Sequence, residues 1–137
     1  MSGRMARQKG KRGEQEVAAM LRDVFPDVRT KRAGGESATQ DRGRDLLGTP
    51  GLCVQSKCMA RPNPLKALLE AAVAATGHEI PVAFCKQSRM GRGNSTAWTV
   101  TLLAEDFIGL WAASQANLAA VAGPKDQPLE DAGNGLA

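Results

Sequence analysis

Val17, Met20, Leu21, Val24 and Phe25 recur at the i, i+3, i+4, i+7, i+8 spacing of a helix with one buried stripe, so the pattern predicts a helix over residues 13–25. Pro26 closes it, because proline has no N–H to continue the ladder. Residues 28–32 read as a short strand, and residues 33–44 as a loop containing Gly, Ser and Thr. Asp45, Leu46 and Leu47 then start an extended segment, Thr49-Pro50-Gly51 supplies a turn, and residues 52–58 resume as a strand, which predicts a hairpin. Pro64 opens a second helix through Leu65, Leu68, Leu69, Ala72, Val73 and Thr76, with Gly77 as its stop. Residues 81–86 and 97–103 are two further strands, joined by a loop rich in Arg, Gly and Ser. A third helix over residues 104–116 offers Phe107, Leu110 and Trp111 as its inner face. The order α-β-β-β-α-β-β-α predicts an α/β or α+β domain, with a central mixed β-sheet flanked by helices.

At 137 residues the chain is long enough to bury a core without staples. No apolar run approaches the roughly 18 residues of a membrane span, and the N-terminus carries charges but no apolar signal region. The expectation is therefore a soluble chain with no membrane partner. Three cysteines cannot all pair, and Cys53, Cys58 and Cys85 sit in apolar or strand-like surroundings, which points to a reducing cytoplasm.

The net charge of +4 hides a segregation. Residues 1–66 hold 14 Lys and Arg against 7 Asp and Glu, a balance of +7, whereas residues 67–137 hold 4 against 7, a balance of −3. The basic half is a candidate polyanion-binding surface. Residues 1–12 read as a flexible arm in which Arg4, Arg7, Lys9, Lys11 and Arg12 are interleaved with small residues, as in arms that order on a phosphate backbone. Residues 13–122 then form a single domain, and residues 123–137, which lose all periodicity, a disordered acidic tail.

The informative stretch is Gly43 to Lys57. Side chains alternate along a strand, so Gln55 and Lys57 share one face while Val54 enters the opposite layer. The turn at residues 49–51 can bring Asp45 opposite them. A hard cation such as Mg²⁺ takes oxygen ligands, usually one or two carboxylates with waters and phosphate, a need that Asp45 and the Gln55 amide oxygen fit. Glu14 lies on the helical stripe of Val17 and Leu21, away from the solvent side given to Glu16 and Asp23. A carboxylate there needs a metal or an arginine, or else serves to complement the helix dipole or pair with Arg12. Cys53, Cys58, His78 and Cys85 contain enough soft ligands for Zn²⁺ but lack the tight C-x₂-C knuckle, so the cysteines read as small buried hydrophobes and His78 as a helix-end residue.

In these residues the sequence resembles the PD-(D/E)XK nuclease superfamily, and within it the archaeal-type Holliday junction resolvases and their phage relatives. The resemblance rests on Lys11-Arg12-Gly13-Glu14 opening the first helix, Arg32 and the small-residue loop after it, Asp45 before an apolar pair and Gly48, and Gln55-x-Lys57 ending the hairpin. It covers roughly residues 9–103. Arg44 stands where the superfamily has proline, and Gln55 replaces the usual acid.

The resemblance implies a restriction-endonuclease-like α/β fold and phosphodiester hydrolysis. Glu14, Asp45 and Gln55 would hold Mg²⁺, with Mn²⁺ able to substitute, and Lys57 would position the attacking water and stabilise the charged transition state. It further implies a homodimer acting on four-way or other branched DNA in the cytoplasm, a phage-encoded chain doing so in its host. Arg32, Arg42 and Arg44, with Ser37 and Thr39 between them, read as a phosphate-contacting loop, which Lys86, Arg89 and Arg92 extend. A general or nicking repair nuclease of the same fold, or a DNA-binding protein with a decayed site, are the alternatives. Low aromatic content, with two Trp, three Phe and no Tyr, argues against a base-stacking single-strand binder.

Overall fold

Two strands that run parallel need a long crossover between them, usually a helix, and the segment between the two longest strands provides one. The computed structural model describes residues 3–30, 44–87 and 97–134, apart from the side chains of residues 6 and 122–134. Its elements are α1 (Gly3–Leu21), β1 (Arg29–Thr30), β2 (Leu46–Leu47), β3 (Leu52–Met59), α2 (Pro64–Ala74), β4 (Ile80–Gln87), β5 (Trp98–Thr101) and α3 (Ala104–Asn134). The sequence pattern orders them correctly.

β3 and β4 are parallel, with Val54 opposite Val82 and Lys57 opposite Cys85, and β5 adds antiparallel to β4. The expected hairpin of residues 45–47 with 52–58 is not a ladder. β2 pairs with β1 instead, Leu46 opposite Thr30, and touches β3 where the Asp45 N–H donates to the Val54 carbonyl at 3.2 Å. The expected turn is present, closed by Leu52 N–H to the Thr49 carbonyl at 2.9 Å. Gly51 makes that turn possible, at φ 90 after Pro50, and Gly48, at φ 79, lets the chain approach the Asp27 backbone, into which a Cβ would run.

The sheet carries a helix on each face. Val54, Val82 and Phe84 pack with Val17 and Ala18 of α1, together with Val28 and Leu46. Ala83 and Cys85 on the other face pack with Ala67 and Leu68 of α2. The buried stripe of α2 is Ala67, Leu68, Ala71 and Ala74, whereas the larger Leu65, Leu69 and Val73 are exposed. A helix lying this close to a sheet selects small side chains, which is why the expected leucine-valine stripe faces outward. On the first face Gly13 serves the same end: a Cβ there would meet Cys58 Cβ at 3.0 Å and Trp98 Cη2 at 3.3 Å.

α1 starts ten residues before the expected helix, through the segment read as a flexible arm, and stops at Leu21. Arg, Met, Ala, Gln and Lys are strong helix formers, so a helix anchored by packing at Gly13, Val17 and Ala18 extends outward without an apolar stripe of its own. By contact the chain falls into two compact units, Met1–Leu102 and Leu103–Ala137. The second is α3, which continues past the expected end at residue 116 and through residues read as a tail. Phe107, Leu110 and Trp111, expected as its inner face, are exposed, and the Phe107 and Trp111 rings stack with centroids 6.3 Å apart. Among the described residues no helix is long and apolar enough to cross a membrane.

Candidate functional site

β3 supplies the backbone of the site. Gln55 is 6% exposed, opposite Ala83 on the face that carries α2. Asp45 lies against this strand at the end of β2. Its Oδ2 accepts the Ser56 N–H at 2.8 Å, and because a carboxylate only accepts, the Gln55 amide is assigned with its nitrogen toward Asp45, where it donates to the same oxygen at 2.8 Å and to Oδ1 at 3.3 Å. The expected meeting of Asp45 with Gln55 is therefore observed, although a side-chain contact makes it and not a hairpin ladder.

Lys57 follows on the same face, half-buried, with its ammonium 3.3 Å from Glu70 Oε2 of α2. Glu14 comes from α1, the helix whose Gly13 packs on the opposite face of β3. It is half-buried. Among the described residues no group of three or more His, Cys, Asp or Glu is placed to hold a metal ion. Asp45 and Gln55 still fit a cation as a pair of oxygen-bearing side chains in contact, once the amide turns to present its oxygen.

Arg44, expected to contact DNA, has a structural partner. Its two terminal nitrogens donate to the two Glu79 oxygens at 2.7 Å each, and Nη2 also donates to the Ala74 carbonyl at 3.3 Å. Ala74 is the last residue of α2, so the guanidinium both pairs an acid and satisfies a helix-end carbonyl. Arg44 holds the Glu79 carboxyl down to about 2, with the Thr76 backbone and hydroxyl donors adding to the effect against the burial penalty. Arg44 thus ties the segment that carries Asp45 to the end of α2.

Lys86 is likewise committed. It donates to Glu16 Oε1 at 2.8 Å, and the Trp98 indole N–H reaches the same oxygen at 3.1 Å, with the ammonium 5.7 Å from the ring centroid. Glu16 therefore faces β4 and β5 and not solvent as expected. Its carboxyl is held below the usual range, first by Lys86 and then by Trp98.

Of the other basic candidates, Arg4, Arg7, Lys11 and Arg12 are exposed on α1 and Lys9 is half-buried. Arg4, Arg7 and Lys11 share one side, at the i, i+3, i+7 spacing. Arg32, Ser37, Thr39, Arg42, Arg89 and Arg92 lie outside the described residues. The soft-ligand set does not assemble: Cys53 and Cys85 are buried on the α2 side, where burial pushes both thiols up, whereas Cys58 lies under Gly13 on the other face. His78 is exposed.

Sequence reasoning missed Glu70 and Glu79. A lone acid within the apolar run of residues 67–75 was the available signal for Glu70; Glu79 offered none. Compared with protein-family models, curated proteins and solved structures, the chain finds no match in any of the three.

Proposed function

We propose that the chain is a Mg²⁺-dependent, structure-selective DNA endonuclease of the restriction-endonuclease-like type, hydrolysing phosphodiester bonds at branched DNA as the resolvases it resembles do. The observation that carries this reading is the contact between the Asp45 carboxylate and the buried Gln55 amide, with Lys57 two residues further along the same strand face. Asp45 and Gln55 would hold the cation, and Glu14 joins them only through the resemblance. When bound, the cation supplies Lewis-acid polarisation of a phosphoryl oxygen. Lys57 supplies a fixed positive charge for the negative charge that develops there, worth about 10²–10³ in rate for one well-placed donor. The exposed cations of α1 offer backbone neutralisation without base readout. Cutting a junction on two symmetry-related strands calls for two such sites, hence two copies of the chain in the cytoplasm.

A second reading, a DNA-binding protein without cleavage, is favoured by one observation. Gln55 brings no charge to the site, and in the structure its amide satisfies Asp45. A labelled four-way junction and a linear duplex, each incubated with purified protein with and without Mg²⁺, separate the two. Symmetric, junction-only cuts that disappear in Asp45→Asn are expected. Binding without cuts in either Mg²⁺ or Mn²⁺ would sink the enzyme reading, and equal cutting of both substrates would turn it into a general nuclease.

A further inference from the structure

Beyond Lys57, the end of β3 and the first turns of α2 enclose a cavity of about 310 Å³. Lys57, Arg61 and Lys66 bring three cations to its wall and Glu70 the single anion, with Met59 and Asn63 beside them. Helix amides other than that of Leu65 do not supply the positive charge. Pro64 has no N–H, the Lys66 N–H donates to Asn63 Oδ1 at 3.1 Å, and the Ala67 N–H donates to the Asn63 carbonyl at 3.0 Å. It comes from side chains, and those of Arg61 and Lys66 are exposed.

The Lys57–Glu70 pair in this wall is close but unaligned. Glu70 Oε2 lies 3.3 Å from the ammonium, is itself buried, and makes no hydrogen bond. A carboxylate oxygen in that state has lost water without gaining a donor and is held by charge alone. An anion able to accept hydrogen bonds from Lys57, Arg61 and Lys66 together would be better satisfied there than Glu70 is.

We propose that this cavity is a phosphate subsite for a nucleic-acid backbone, and that the Glu70 carboxylate is a placeholder on Lys57 that an entering phosphodiester displaces. The wall carries three positive charges against one, and releasing Glu70 leaves all three for the ligand. The inference rests on the nucleic-acid reading above for the identity of the ligand, and needs neither the cation nor cleavage.

The test is fluorescence anisotropy of a labelled duplex with the full chain in EDTA. Arg61→Ala with Lys66→Ala is expected to weaken binding about tenfold and to lower the salt slope by about one, for the one phosphate that the subsite no longer neutralises. Glu70→Gln is expected to tighten binding about threefold, and Asp23→Asn, a charge-matched exposed control, to leave it unchanged. Unchanged affinity and slope in the double variant overturn the subsite. Equal effects of Glu70→Gln and Asp23→Asn overturn the placeholder. Inorganic phosphate should compete with the duplex less well in the double variant than in the parent chain; equal competition removes the ligand from this cavity. Loss of cleavage with these binding shifts intact would sink the nuclease reading alone, and cleavage without the shifts would sink this one alone.

Discussion

Two glutamates, one within α2 and one past its C-terminal end, are each paired with a cation, and the two pairs are built differently. At the C-terminal end, Arg44 and Glu79 meet through two bonds of 2.7 Å with their side chains 14% and 19% exposed, and the Thr76 N–H and hydroxyl also reach Glu79. Within the helix, Lys57 and Glu70 approach to 3.3 Å without an aligned hydrogen bond, at 35% and 39% exposure. By distance alone both are ion pairs. Geometry and burial separate a clamp from a contact that can be exchanged for a ligand.

The sharpest way to break this comparison is to remove the acid from each pair. Glu79→Ala takes both short bonds and the compensating carboxylate from the largely buried Arg44 guanidinium, and is expected to cost on the order of 3 kcal/mol in urea unfolding. A cost as small as that of a surface pair would erase the distinction. Acid probes the same clamp without mutation. The Glu79 carboxyl is depressed from 4.5 to about 2, so its contribution is fully present above pH 4.5 and lost as pH falls toward 2. The stability gap between the parent chain and Glu79→Ala should shrink over that window and stay constant from pH 5 to 7.

Between the two pairs, Gln55→Glu would set a second carboxylate against Asp45 where an amide now donates. The expected outcome is a loss of about 2 kcal/mol in EDTA, recovered on adding Mg²⁺, read as a shift in Tm. A shift that Mg²⁺ does not recover would remove this pair from the proposed ligand set. The smallest effect belongs to the loose pair: Glu70→Gln should change stability by less than about 0.5 kcal/mol, even though it is expected to tighten DNA binding.

Much of this arrangement was legible in the sequence, for reasons that particular residues make plain. Apolar spacing and turn signals placed the elements in order, though not the helical residues 3–12 and 117–134, and strand alternation put Gln55 with Lys57. Partners across space were less visible. A helical wheel assigns Glu16 to solvent because it cannot see Lys86 and Trp98 arriving from β4 and β5. Ranking by hydrophobicity picks Leu65, Leu69 and Val73 for the buried face of α2, whereas close packing on the sheet prefers Ala67, Ala71 and Ala74. Arg44 read as a DNA contact because its acid, Glu79, lies 35 residues away with no local mark. β2 read as half of a hairpin because turn chemistry fixes a reversal, not which strand completes the ladder.

The amide of Gln55 carries a consequence of another kind. With it in place, Asp45 is not a bare charge inside the fold when no cation is bound: the carboxylate has the Ser56 N–H and the amide. Folding and the proposed metal loading are thereby uncoupled. The chain can be made, held and moved without an ion, and recruiting one asks for the turn of a single side chain rather than the ordering of a loop.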